Sequence, residues 1–136
     1  MAANSTIRIG LQLTVCMENA PGSLLRLTEL FGDADINVYA ISVLEGLNHG
    51  YIRVIADDPD RAATLLQDHG LLVLRHDVLL LDLPNEPGSL RTLTQRLAKA
   101  EINIEYLYCA SGPEAKTGLV VAHVKDSEQA LAELLK

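Results

Sequence analysis

The chain has no tryptophan, one phenylalanine and four tyrosines in 136 residues, so aromatic stacking cannot organise its interior. With 49% apolar residues, the core has to be assembled from Leu, Val, Ile and Ala instead. Basic residues are also few, 11 against 18 acidic, and the formal charge of −7 repels phosphate backbones and anionic membrane surfaces. No nucleic-acid partner is expected. No apolar run reaches the ~20 residues of a membrane span, and the opening residues lack the basic-then-apolar order of a secretory signal. The chain therefore reads as cytoplasmic, with no membrane partner. Cys16 and Cys109 are the only cysteines, and both sit in apolar, strand-like segments, which predicts buried free thiols. His49, His69, His76 and His123 share no ligand-like spacing, so neither a metal nor a cofactor is expected.

What the chain does contain is a copy of itself. Asn19-Ala-Pro-Gly-Ser-Leu24 returns as Asn85-Glu-Pro-Gly-Ser-Leu90, 66 residues on, and in the same register Leu27, Ala34, Ile36 and Asn37 match Leu93, Ala100, Ile102 and Asn103. Gly50 to Ala62 aligns with Gly118 to Ala130 at an offset of 68, so the second copy has two extra residues in the intervening hairpin. Two modules are predicted, 1–74 and 75–136.

Each copy reads as β-α-β-β-α-β. In the first strand Ile7, Ile9, Leu11, Leu13 and Val15 alternate on one side, and Val78 to Leu83 is the counterpart. Leu24, Leu27, Phe31 and Ala34, like Leu90, Leu93, Leu97 and Ala100, fall at helical spacing and give each first helix one apolar stripe. Two hairpin strands follow, separated by a turn centred on Glu45 to Gly50 or by Ser111 to Gly118. The second helices open at Asp58-Pro59 and at Asp126, with aspartate as N-cap. A last strand, Leu71 to Arg75, completes copy one, whereas copy two ends at Lys136 with no fourth strand of its own. The fold class is α+β: two ferredoxin-like modules, antiparallel sheets with helices on one face. In strand order 4-1-3-2 the missing strand leaves Val78 to Leu83 as an apolar edge, which must be covered by another strand of the chain or by a partner.

The Pro-Gly corners between first strand and first helix are the candidate sites. A glycine there lets a ligand approach the backbone, and the first helical N–H groups carry the positive end of the helix dipole, where a carboxylate docks. A plain tight turn capped by Ser23 or Ser89 is the competing account. Asn19 and Asn37, 18 residues apart, recur as Asn85 and Asn103. A helix separates the members of each pair by ~15 Å, so only modules placed side by side would bring a corner and a strand-opening asparagine together. Each amide offers a donor and an acceptor, as a zwitterion requires.

Asn-x-Pro-Gly-Ser-Leu, an amphipathic helix and then Ile-Asn-Val or Ile-Asn-Ile resembles the ACT domain, a regulatory module attached to many enzymes of amino-acid metabolism. The resemblance runs over nearly the whole chain in two copies and is closest to stand-alone tandem ACT proteins. It implies a regulatory protein, not an enzyme, that binds an amino acid at an interface between modules and assembles as a homodimer or higher homo-oligomer. By similarity the ligand-binding residues would be Asn19, Pro21, Gly22, Ser23, Leu24 and Asn37, with Asn85, Pro87, Gly88, Ser89, Leu90 and Asn103. Serine-binding members place a histidine two residues before the turn asparagine, where this chain has Met17 and Leu83. Asp35 and Glu101 replace the glycine common before Ile-Asn, which bears on the turn that ends the helix. The alternative function is a ligand-free subunit that docks on a metabolic enzyme in trans. An RNA-recognition module would need stacking aromatics and a basic sheet face, and an enzyme a nucleophile and base or a carboxylate pair; neither pattern is present.

Overall fold

The computed structural model describes residues 5–46 and 49–136. Its elements are β1 (Thr6–Glu18), α1 (Ser23–Asp33), β2 (Val38–Glu45), β3 (His49–Ala56), α2 (Pro59–Asp68), β4 (Leu72–Pro84), α3 (Ser89–Lys99), β5 (Ile104–Ala110), β6 (Thr117–Val124) and α4 (Ser127–Leu134). The order is that of two ferredoxin-like modules in an α+β fold. The expected turn around Glu45 to Gly50 lies partly outside the described residues, at 47 and 48.

The compact units differ from the repeat units. One comprises Leu11–His76; the other joins Met1–Gly10 to Asp77–Lys136. The repeat boundary at 74/75 falls inside β4, because the expected last strand of copy one and first strand of copy two form a single thirteen-residue strand. β1, also of thirteen residues, is divided in the same way. Strand order in the 11–76 unit is β2-β3-β1-β4, and in the other unit β1-β4-β6-β5. The second unit therefore obtains its fourth strand from Thr6 to Gly10, and the apolar edge at Val78 to Leu83 is covered by this chain itself. Thr6 Oγ1 donates to Asp82 Oδ2 at 2.7 Å, and Arg8 Nη1 lies 3.2 Å from the same oxygen.

The alternating stripe of β1 is correspondingly split between two cores. Leu13, Val15 and Met17 belong to a core with Leu27, Phe31, Ile52, Val54 and Leu66, to which Leu11 adds at the margin. Ile7 and Ile9 pack instead against Leu79, Leu81, Leu93, Leu97 and Val120. Both cores draw on one sheet face and two helices, as period-2 strands and amphipathic helices require. Leu27 and Leu93, repeat equivalents, are fully buried, and truncating either to alanine costs about 2–5 kcal/mol.

Helix ends follow the sequence closely. Asp58 and Asp126 cap α2 and α4, accepting from the N–H groups of Arg61 and Gln129 at 3.1 Å each. After α1 and α3 the backbone turns left-handed at Asp35 (φ 57°) and Glu101 (φ 58°). Ile36 N–H then donates to Phe31 O and Ile102 N–H to Leu97 O, each at 2.9 Å, closing two Schellman turns on non-glycine residues. A β-bulge recurs as well, at Tyr39 and Glu105, where pairing skips from Val38 to Ala40 and from Ile104 to Tyr106.

Candidate functional site

At both corners the glycine itself is the N-cap. Gly22 takes φ 88° and Gly88 φ 94°, a left-handed conformation that costs glycine nothing, and neither helix receives a side-chain cap. The competing account, a turn capped by Ser23 or Ser89, does not hold. Ser89 Oγ turns back to donate to Pro84 O at 2.6 Å, which ties the corner to the end of β4. The first helical bonds run from Arg26 N–H to Gly22 O and from Thr92 N–H to Gly88 O, both 2.9 Å. The N–H groups of Leu24 and Leu25, and of Leu90 and Arg91, are therefore the donors left over at the positive ends of α1 and α3.

Each corner borders a cleft. In the 11–76 unit a cleft of about 470 Å³ is lined by Met17, Pro21, Gly22, Ser23 and Arg26, together with His49 and Cys16. In the other unit a cleft of about 480 Å³ is lined by Asn85, Pro87, Gly88, Ser89 and Leu90, with Cys109 and Ser111 opposite. A smaller one, about 290 Å³, shares the same turn as a wall and adds Ser5, Arg91 and Thr92. Met17 and Leu83, which stand where a histidine was noted in relatives, are buried under these clefts.

The asparagines do not behave alike. Asn85 Nδ2 donates to Gly112 O at 3.0 Å and to Ala115 O at 2.9 Å, so both its donors hold the β5–β6 hairpin and its Oδ1 is what remains for a ligand. Asn19 is exposed at the first corner. Asn37 and Asn103 are exposed just before β2 and β5, and neither lines a corner cleft. The Asn37 carbonyl accepts from Asp57 N–H at 2.9 Å. Within a unit, then, corner and strand-opening asparagine are not brought together.

The sequence reading missed several cleft residues. Cys16 is half-buried and Cys109 exposed, not buried as expected. Cys16 alternates away from the core side chains Val15 and Met17, and Cys109 lies on β5, which has a neighbour on one side only. Arg26 lines the first cleft while its guanidinium donates to His69 O at 3.0 Å, at the end of α2. Glu86 and Arg91 flank the second corner, and the signal for them was present as a break in the repeat, since Ala20 and Leu25 hold the equivalent places.

The sequence model of the ACT domain pair matches residues 7–135. The chain belongs to the ACT domain pair family. A Bacteroides thetaiotaomicron protein of known structure is 29% identical to this ACT domain pair, with a TM-score of 0.87 over 95% of this chain and 88% of that one. The ligand-free regulatory subunit of aspartate kinase from Thermus thermophilus has the same fold at 16% identity and a TM-score of 0.70, covering 95% of this chain and 92% of its own. The corresponding Thermus flavus subunit gives 16% and 0.64, over 96% and 92%. No curated protein sequence matches the chain. Among the described residues no helix is long and apolar enough to cross a membrane, which says nothing of a β-barrel.

Proposed function

We propose that this ACT domain pair is a regulatory protein that binds an amino acid at its Pro-Gly corners and catalyses no reaction of its own. One observation carries the reading: in both copies a helix begins on a left-handed glycine with no side-chain cap, beside a cleft, and so offers unsatisfied N–H donors to a carboxylate. The family and the fold shared with regulatory subunits of aspartate kinase support it. Asn19 and Asn85 supply an amide at each corner. Asn37 or Asn103 is to come from an adjoining module, which makes ligand binding and assembly into a homodimer or higher homo-oligomer one linked equilibrium. The cytoplasm, where free amino acids vary, is its proposed setting.

A second reading has its own observation. Of ten large apolar side chains exposed among the described residues, eight lie in the 11–76 unit, including Leu25, Val43 and Leu72 at about 60%. That concentration favours docking of this unit on a metabolic enzyme in trans, without a ligand of its own.

A thermal-shift panel of the common amino acids decides between the two. A ligand that binds only the native state adds RT ln(1 + [L]/Kd), about 2.7 kcal/mol at a hundredfold excess over Kd, and raises the melting temperature. At least one amino acid is expected to do so at millimolar concentration, and Asn37→Ala with Asn103→Ala to blunt the response without unfolding the chain. A flat panel removes the sensor reading and leaves docking.

A further inference from the structure

The first helices of the two copies, α1 and α3, each carry one ridge that their own unit leaves uncovered. Residues four apart form such a ridge, and here it is Leu25, Glu29 and Asp33 on α1 and Arg91, Gln95 and Lys99 on α3. All six side chains are exposed, Leu25 to 59%, so the two ridges do not cover one another within a chain. α1 packs on α2, and α3 on α4, through other faces. A Cβ on Gly32, in line with Leu25 two turns further on, would meet nothing within 4 Å. The ridges are opposite in character: leucine, glutamate and aspartate in the first copy stand where the second has arginine, glutamine and lysine. Among the described residues none of these four charged groups is held in an ion pair, whereas Arg8, Arg75 and Lys136 each meet a carboxylate.

The stability of the helices does not account for these charges. Asp33 ends α1, where the macrodipole is negative, and Arg91 lies in the first turn of α3, where it is positive, so each opposes its own helix. We propose that the ridges meet in trans: α1 of one chain docks antiparallel on α3 of a second copy. This direction sets Asp33 beside the partner's Arg91, Glu29 beside the partner's Gln95, and Leu25 along the methylene stem of the partner's Lys99. It also brings the negative end of α1 to the positive end of α3, so charges that each helix disfavours alone are neutralised by the other. The occupant is a second copy because one chain carries both halves of a complementary pair. Like ridges repel, since α1 on α1 sets acid against acid and α3 on α3 sets base against base. The contact needs no ligand, so it goes beyond the amino-acid reading and gives the proposed homo-oligomer a surface.

The test is sedimentation of the full chain without ligand at ~5–500 µM, the range that suits a small, polar contact. The natural chain is expected to gain mass with concentration. Glu29→Lys with Asp33→Lys makes both ridges basic, and Arg91→Glu with Lys99→Glu makes both acidic. Each variant alone should associate about tenfold more weakly or worse. Mixing the two sets opposite ridges together again, and association should return to near that of the natural chain, as it should in one chain carrying all four substitutions. General repulsion predicts otherwise, because the first variant is less negative overall than the natural chain and would associate more tightly. Melting of each variant alone reports that the fold is intact, and recovery on mixing cannot come from unfolded chains. A natural chain that stays monomeric throughout, variants that associate as it does, or a mixture that fails to recover overturns the inference. The amino-acid response in the thermal-shift panel is read separately, so ligand binding stands or falls on its own.

Discussion

Gly22 at φ 88° and Gly88 at φ 94° make one corner twice, yet Ala20 and Leu25 stand in the first where Glu86 and Arg91 stand in the second. The glycine, the proline before it and the leucine of the next helical turn are held by demands that every copy of the fold must meet: a left-handed cap, a rigid approach and a buried stripe. Positions 20 and 25, or 86 and 91, face water and answer to none of these. Duplicated modules keep the backbone of a site and are free to change its chemistry. The units also differ in what they leave uncovered, since among the described residues eight of the ten exposed large apolar side chains lie between Leu11 and His76.

The sharpest way to break that comparison is to remove residues 1–10. The unit completed by them loses the strand beside β4 and the packing of Ile7 and Ile9, a loss on the order of 3 kcal/mol or more. Urea unfolding should register it, and hydrogen exchange should accelerate at Leu79 to Leu83 well before it does at Leu13 to Met17. Equal loss of protection in both units would mean that the shared strand is not a local support.

Smaller effects test whether paired helix ends are energetically alike. Asp58→Ala and Asp126→Ala each remove an N-cap bond of 3.1 Å and should each cost about 1 kcal/mol in urea midpoint analysis. A marked inequality would place unequal weight on α2 and α4. The smallest effect concerns Asp35 and Glu101, both left-handed without being glycine. Relief of about 1–2 kcal/mol of left-handed strain is partly offset by the extra chain entropy of glycine. Glu101→Gly should therefore stabilise by roughly 0.5 kcal/mol, and Asp35→Gly by less, because aspartate tolerates this conformation better. Destabilisation by Glu101→Gly in thermal melting would show that its side chain contributes more than the strain costs.

Much of this was legible in the residues. The repeat, the strand and helix order, the aspartate caps and the two corners all rest on local signals: period-2 and helical spacing, Pro-Gly, and Asp-Pro. The recurrent bulge at Tyr39 and Glu105 carried no such signal, since a bulge shows only in pairing register. The competing account of a serine cap fails on position, since Ser23 and Ser89 follow the cap glycine by one residue and Ser89 Oγ donates to Pro84 O instead. Apolar segments predict buried thiols, but Cys16 is half-buried and Cys109 exposed, because exposure depends on which face and which edge of the sheet a residue occupies.

The sequence alone determined two ferredoxin-like modules and the corners at which each first helix begins, because short-range periodicity and turn chemistry act over a few bonds. Only the tertiary structure decided that Leu72 to Pro84 is one strand serving both units, and that Thr6 to Gly10 supplies the strand the second copy lacks. Strand pairing joins residues more than seventy positions apart. No local pattern records which edge will be met, and burial of Ile7 and Ile9 against Leu79 and Leu81 settles it.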